Sequence, residues 1–145
     1  MRLSTRGRYG VRLMIDLALH HGDGPVMLKD ISRRQGISQK YLWNLINPLK
    51  SSGLVKSTRG AHGGFTLARE PSGISVTDIL HVLEGPLCLV DCVENPSACE
   101  KSAACVARDI WCLAAANLRQ SLEAVTLAQL VEKHRGKGAS TDYEI

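Results

Sequence analysis

At 145 residues and 44% hydrophobic content, the chain is long enough to bury one core and holds no linker that would split it into two folding units. Its net charge of +4 hides a division: residues 1–69 carry twelve Lys/Arg against three Asp/Glu, a balance of +9, while residues 70–145 carry six against eleven, a balance of −5. A basic front half suits a polyanion such as duplex DNA, and with neither a signal-peptide run nor a membrane-length apolar stretch the expectation is a cytoplasmic protein with no membrane partner.

From Arg8 to about His21, the apolar positions Val11, Met14, Ile15, Ala18 and Leu19 make one stripe, which predicts a first helix packed behind whatever reads the polyanion. Arg2, Arg6 and Arg8 precede or open it and are placed to grip phosphates. Gly22–Pro25 is a turn, and His20 and His21 are surface residues at a helix end. Leu28–Gln35 reads as a short amphipathic helix that stops where Gly36 takes the left-handed conformation. Ile37 covers the turn and Ser38 caps the next helix, in which Tyr41, Leu42, Leu45, Ile46 and Leu49 recur at the spacing of one buried face. Gln39, Lys40, Trp43, Asn44 and Asn47 fall on the other face. A short helix, a turn and a second helix with amide and ammonium donors fit a B-DNA major groove, where the Trp43 indole can meet a thymine methyl. Pro48, inside that helix, is expected to bend its last turn.

Leu54–Thr58 and Phe65–Ala68 alternate like strands around the tip Arg59-Gly-Ala-His62-Gly-Gly64. Glycines keep the tip slim, and Arg59 is suited to an adjacent minor groove. The expected fold is mainly α with a small β wing, a winged helix-turn-helix. Its predicted DNA contacts are Arg2, Arg8, Ser38, Gln39, Lys40, Tyr41, Trp43, Asn44, Arg59 and His62.

Ser75 reads as the N-cap of a helix over Val76–Leu83, with Asp78 as its acidic partner, His81 as a partly buried structural residue and Gly85-Pro86 as the stop. Cys88 to Cys105 follows as a loop broken by Asn95, Pro96 and Ser97. A long helix then begins near Ser102 or Ala103. Its stripe of Val106, Ile110, Leu113, Ala114, Leu118, Leu122 and Val125 has little aromatic bulk and suits packing against a second copy of itself. Thr126-Leu-Ala-Gln129 resembles a capping box opening a short last helix, after which Arg135–Ser140 reads as disordered. The chain is thus one domain with four regions: a DNA-binding region at 1–84, a cysteine loop at 85–103, a dimerisation helix with a short terminal helix at 104–134, and a flexible tail at 135–145.

Cys92, Cys99 and Cys105 are spaced C-x6-C-x5-C. Thiolates are soft ligands for zinc or iron-sulfur clusters, and a loop can bend three of them toward one point. The spacing is too loose for a zinc ribbon or for a C-x-x-C redox pair, and three inert thiols are the bland alternative. No nucleophile lies beside a base, so no enzyme is expected.

The chain resembles, over nearly its whole length, the winged-helix regulator family that includes the iron-sulfur cluster regulator IscR, the nitric-oxide sensor NsrR and the cysteine-metabolism repressor CymR. The resemblance is carried by Met1-Arg-Leu-Ser-Thr-Arg-Gly-Arg-Tyr9, Ile37-Ser38 with Tyr41-Leu42, Gly53-Leu-Val55, Arg59-Gly60 with Gly63-Gly64, the turn Leu83-Glu-Gly-Pro86, and the cysteine loop. It implies a homodimer joined by a long crossing helix, with recognition helices in successive major grooves and wing arginines in minor grooves. It also implies a cluster, expected as 2Fe-2S, on Cys92, Cys99 and Cys105, and a repressor of iron-sulfur cluster biogenesis genes. Two departures leave the fourth ligand open. The IscR branch has a histidine three residues past the third cysteine, where this chain has Arg108, and the NsrR branch has an acidic residue where this chain has Arg8. Asp109, Cys88 and Cys112 are the candidates. The CymR branch implies instead a cluster-free repressor of cysteine and sulfur metabolism. The ending Tyr143-Glu144-Ile145 is similar to the C-terminal isoleucine captured in cysteine synthase complexes, so cysteine synthase is a candidate partner on that reading.

Overall fold

Ser4 opens the first helix four residues ahead of Arg8, where the stripe begins. Its hydroxyl accepts from the Gly7 amide at 3.2 Å, and α1 runs Thr5–Leu19. The computed structural model describes residues 2–141, with side chains through Gly138. Within α1 the buried face is Leu13, Met14, Leu17 and Ala18, and Val11, Ile15 and Leu19 flank it half-buried. The predicted stripe is therefore rotated. The early start follows from the Ser4 cap, and Gly7 and Gly10 lie where a Cβ would run into Glu84 and Leu83 of α4 (Val76–Glu84). Close helix packing accounts for both glycines.

α2 (Leu28–Gln35) ends at Gly36, whose φ of 66° and ψ of 32° are left-handed as the sequence predicts. α3 (Gln39–Ser51) is capped by Ser38, whose hydroxyl accepts from the Tyr41 amide, and it continues through Pro48 to Ser51. Leu42, Leu45, Ile46 and Leu49 are wholly buried, with Ile31 and Ile37 closing the turn above them.

β1 (Val55–Thr58) and β2 (Gly64–Leu67) pair antiparallel, Val55 opposite Leu67 and Thr58 opposite Gly64. The sheet gains a third member that the sequence did not suggest, because Val26 exchanges both backbone hydrogen bonds with Phe65, at 2.9 and 2.8 Å. A Cβ at Gly64 would strike the Val26 backbone there. The wing is thereby tied down to the α1–α2 turn.

α4 begins with a full capping box between Ser75 and Asp78 and ends at Gly85, both as predicted, although His81 proves exposed rather than partly buried. Glu84 caps α1 from outside, its carboxylate accepting from the Ser4 and Gly7 amides at 3.0 and 3.1 Å and from the Ser4 hydroxyl, while Arg6 donates to the Leu83 carbonyl. An anion at a helix N-terminus is favourable, and here it joins the chain's opening motif to the Leu83–Pro86 turn.

The cysteine segment is a chain of short turns: α5 (Asp91–Glu94) and single 3-10 turns at Pro96–Ala98 and Ser102–Ala104. α6 (Val106–Glu123) follows, then α7 (Leu127–Thr141), opened by the expected box in which Thr126 and Gln129 exchange bonds of 3.0 and 3.3 Å. The α6–α7 junction is pinned to the start of α4 by Val76–Val125 and Leu127–Ile74 backbone bonds, each 2.9 Å. The helix continues through Gly136 and Gly138, where the sequence reads as an unstructured tail from Arg135. Tyr143, Glu144 and Ile145, on which the cysteine synthase expectation rests, lie outside the described residues. No helix among the described residues is long and apolar enough to cross a membrane.

Candidate nucleic-acid interface and cysteine segment

The outer face of α3 is wholly polar apart from one ring. Gln39, Lys40, Asn44, Asn47 and Lys50 are exposed, as is the capping Ser38, and the face is set by the buried stripe opposite it. Trp43 is 48% exposed, yet its ring also meets Phe65 of β2 edge-on, with centroids 6.1 Å apart. The indole thus joins the reading helix to the wing. Tyr41 is half-buried and packs edge-on against Tyr9 of α1 at 5.9 Å. Arg8 and Arg12 lie 5.9 and 5.3 Å from the centre of the Tyr9 ring, forming a cationic rim beside the tyrosine pair. Arg8 also donates to the Thr5 hydroxyl, and Arg12 donates to the Gln35 side chain and carbonyl. Arg2, Arg59 and His62 are exposed, the last two on the wing tip, which is folded by a Gly63–Gly60 backbone bond of 3.0 Å.

Behind this face lies a charged clamp that sequence reasoning missed. Asp16 is 1% exposed in the middle of α1 and accepts three hydrogen bonds from α2: two from the Arg34 guanidinium at 3.0 and 2.7 Å and one from Gln35 at 2.9 Å. Burial pushes the Asp16 carboxyl up, but the Arg34 and Gln35 hydrogen bonds and the nearby charges of Arg34 and His20 outweigh it and hold the group below its ordinary value. The Asp16 hydrogen bond in turn holds Arg34 above its ordinary value. A bidentate pair of this kind fixes the angle between α1 and α2, and so the seat of α3. The only hint in the sequence is an acid placed between apolar neighbours.

The five cysteines are all free thiols, Cys99 exposed and Cys88, Cys92, Cys105 and Cys112 half-buried. Cys92 sits in α5, Cys99 follows the Pro96 turn, and Cys105 immediately precedes α6. Among the described residues no three His, Cys, Asp or Glu side chains are gathered so as to hold a metal ion, so the expected convergence of Cys92, Cys99 and Cys105 is not present. Asp109 is exposed on α6, Cys112 is one turn beyond it, and the Cys88 thiol donates to the Val90 carbonyl at 3.0 Å. None of the three is brought to the cysteine set as a fourth ligand. The donor chemistry nonetheless fits a thiolate-held cluster, and the segment encloses an orphaned polar atom: the Ser102 hydroxyl is buried with no hydrogen-bond partner among the described residues.

Two arginines fasten this segment to α6. Arg108 donates to the Cys92 carbonyl at 2.8 Å, and Arg119, three turns further along the same side of the helix, pairs with Glu94 at 2.9 Å. The opposite side carries Val106, Ile110 and Leu113, which are 75%, 57% and 64% exposed. α6 therefore stands between the cysteine segment and an open apolar stripe.

The family model Rrf2, described as "Iron-dependent Transcriptional regulator", matches residues 3–133. "Protein rrf2" of Nitratidesulfovibrio vulgaris strain Hildenborough is 44% identical over 90% of this chain and 87% of its own. Among solved structures, CymR (YrzC), the global cysteine regulator of B. subtilis, is 40% identical, with a TM-score of 0.79 over 92% of this chain and 98% of that one. IscR of T. potens is 42% identical, with a TM-score of 0.76 over 92% of this chain and 88% of that one. These relatives are transcriptional regulators, not enzymes. The chain belongs to the Rrf2 family of winged-helix, DNA-binding transcriptional regulators.

Proposed function

We propose that the protein is a homodimeric repressor of iron-sulfur cluster biogenesis genes whose operator affinity is set by an iron-sulfur cluster on Cys92, Cys99 and Cys105. The observation that carries this reading is the two-sidedness of α6, which has the cysteine segment fastened to one side and an uncovered apolar stripe on the other. A second copy covers Val106, Ile110 and Leu113, because an apolar stripe of this length is costly in water. On each half-site α3 enters the major groove with Gln39, Lys40, Trp43 and Asn44. Arg59 and His62 follow the wing into the minor groove, and Arg2 and Arg8 hold phosphates.

When bound, the cluster, expected as 2Fe-2S, supplies a redox-sensitive and labile centre. Three thiolates leave the fourth position to Asp109, Cys88 or Cys112, and a weak or exchangeable ligand there suits a sensor. Through Arg108 and Arg119 the state of the cysteine segment bears on α6, and through α6 on the spacing of two recognition helices that must match half-sites about 34 Å apart. Anaerobic reconstitution of the wild type, with iron content and visible absorption as readouts, tests this directly. Alanine at Cys92, Cys99 or Cys105 should abolish the absorption, while Cys88→Ala and Cys112→Ala should leave most of it. Normal clusters in the first three variants, or zinc uptake without iron in the wild type, would sink the reading.

A cluster-free repressor of cysteine and sulfur metabolism is the second reading. It is favoured by the likeness to CymR and by the absence of a gathered ligand set among the described residues. It requires full operator binding by protein that takes up no iron.

A further inference from the structure

Two buried hydroxyls lack a hydrogen-bond partner among the described residues, Thr77 Oγ1 and Ser102 Oγ. They differ in surroundings. Thr77 lines a cavity of about 340 Å³ with His81, Glu94 and Arg119, which has room and polar partners for water. Ser102 is 7% exposed and sits in the short turn between Cys99 and Cys105, its amide bonded to the Cys99 carbonyl at 3.2 Å. An unpaired hydroxyl taken out of water is destabilising, and alanine at this position would carry no such cost. The neighbours three residues away on either side are two of the three proposed ligands, whose sulfurs accept hydrogen bonds once they are thiolates.

We propose, resting on the cluster reading above, that Ser102 is a positioning residue of the cysteine site, its hydroxyl donating to a sulfur there when Cys92, Cys99 and Cys105 converge. It is not a ligand. Its part is to hold the thiolates of the Cys99–Cys105 turn in one orientation and to withdraw charge from the sulfur it meets. Hydrogen bonds to ligating groups of this kind typically change metal affinity by about 10- to 100-fold, and those to cluster sulfurs raise the reduction potential. In protein without a cluster the same hydroxyl is a liability.

The test uses the full chain with Ser102→Ala and Ser102→Thr, each with and without an anaerobically reconstituted cluster. Without the cluster, Ser102→Ala should melt at the same temperature as the wild type or higher, because it removes an unpaired buried group. With the cluster, Ser102→Ala should lose its visible absorption to a chelator roughly tenfold faster, and its reduction potential should shift to more negative values. Ser102→Thr, which keeps the hydroxyl, should restore both. Wild-type rates and potential in cluster-loaded Ser102→Ala would overturn the assignment, as would a lower melting temperature of cluster-free Ser102→Ala, which would mean that the hydroxyl is already paired. A wild type that takes up no iron would overturn the cluster reading first and this inference with it.

Discussion

Between α1 and α4, Leu13, Leu42, Leu45, Ile46 and Ile79 are wholly buried, whereas Ala115 is the one buried residue of α6 and Val106, Ile110 and Leu113 are more than half exposed. The reading head is closed by the chain's own residues: a capping box at α4, a carboxylate from α4 on the N-terminus of α1, and a buried Asp16–Arg34 clamp across α1 and α2. The C-terminal arm is rooted in the head by Leu127 and Val131 of α7, which join the core, and by the backbone bonds at the α6–α7 junction, while α6 presents Val106, Ile110 and Leu113 outward. A rigid head suits fixed contacts with a duplex. An unfinished arm suits a partner copy, and the cysteine segment lies against it, where a change in loop geometry can alter how two copies meet.

Charge placed on the open stripe should produce the largest effect. Leu113→Glu should leave the circular dichroism of the helices intact, convert the dimer to a monomer in sedimentation equilibrium, and weaken operator binding on the order of 1,000-fold as the second half-site is lost. A Leu113→Glu dimer with wild-type affinity would mean that the stripe is covered in some other way.

Next comes the clamp. Asp16→Ala leaves Arg34 without its buried partner and should lower unfolding free energy by about 3 kcal/mol in denaturant melts. Because the folded carboxyl lies below its unfolded value, its stabilisation is complete above the ordinary carboxylate range and is lost as pH falls below about 4. Asp16→Asn should therefore flatten the acid limb of the wild-type stability curve, and an unaltered limb would assign acid lability to other groups.

Smaller effects belong to the DNA face. Arg59→Ala should cost roughly tenfold in operator affinity, and Lys40→Ala should weaken it too, with a salt slope reduced by about 1 if the Lys40 ammonium meets a phosphate rather than a base. Unchanged affinity in both would break the docking scheme. The Trp43–Phe65 contact is worth about 1 kcal/mol beyond area burial, so Trp43→Leu should soften the wing as well as the base contact. Faster amide exchange in β2 would show this, and wild-type exchange there would make Trp43 a base-contact residue alone.

Local patterns made most of the head legible in the sequence: Gly36 and Ser38 bracket the turn, the three-and-four spacing of Leu42, Leu45, Ile46 and Leu49 fixes the outward face of α3, and the glycine tip marks the wing. Features that depend on distant neighbours were hidden. Gly7 and Gly10 have no evident reason in the sequence until α4 is seen beside them, Val26 has no strand pattern because it contributes a single bridge, and Gly136 and Gly138 made a helix look like a tail. Asp16 is invisible for the same reason, since its partners lie 18 and 19 residues away. The cysteine spacing named the donors but not their arrangement, because one-turn elements follow no periodicity that sequence can show.

Operator titration of one wild-type preparation with and without its reconstituted cluster, beside Cys99→Ala treated identically, tests the central claim most directly. Coupling between a bound group and a distant site is typically worth about 5- to 150-fold, and the account predicts a difference in that range for the wild type and none for Cys99→Ala. Equal affinities of cluster-loaded and cluster-free wild type would contradict it.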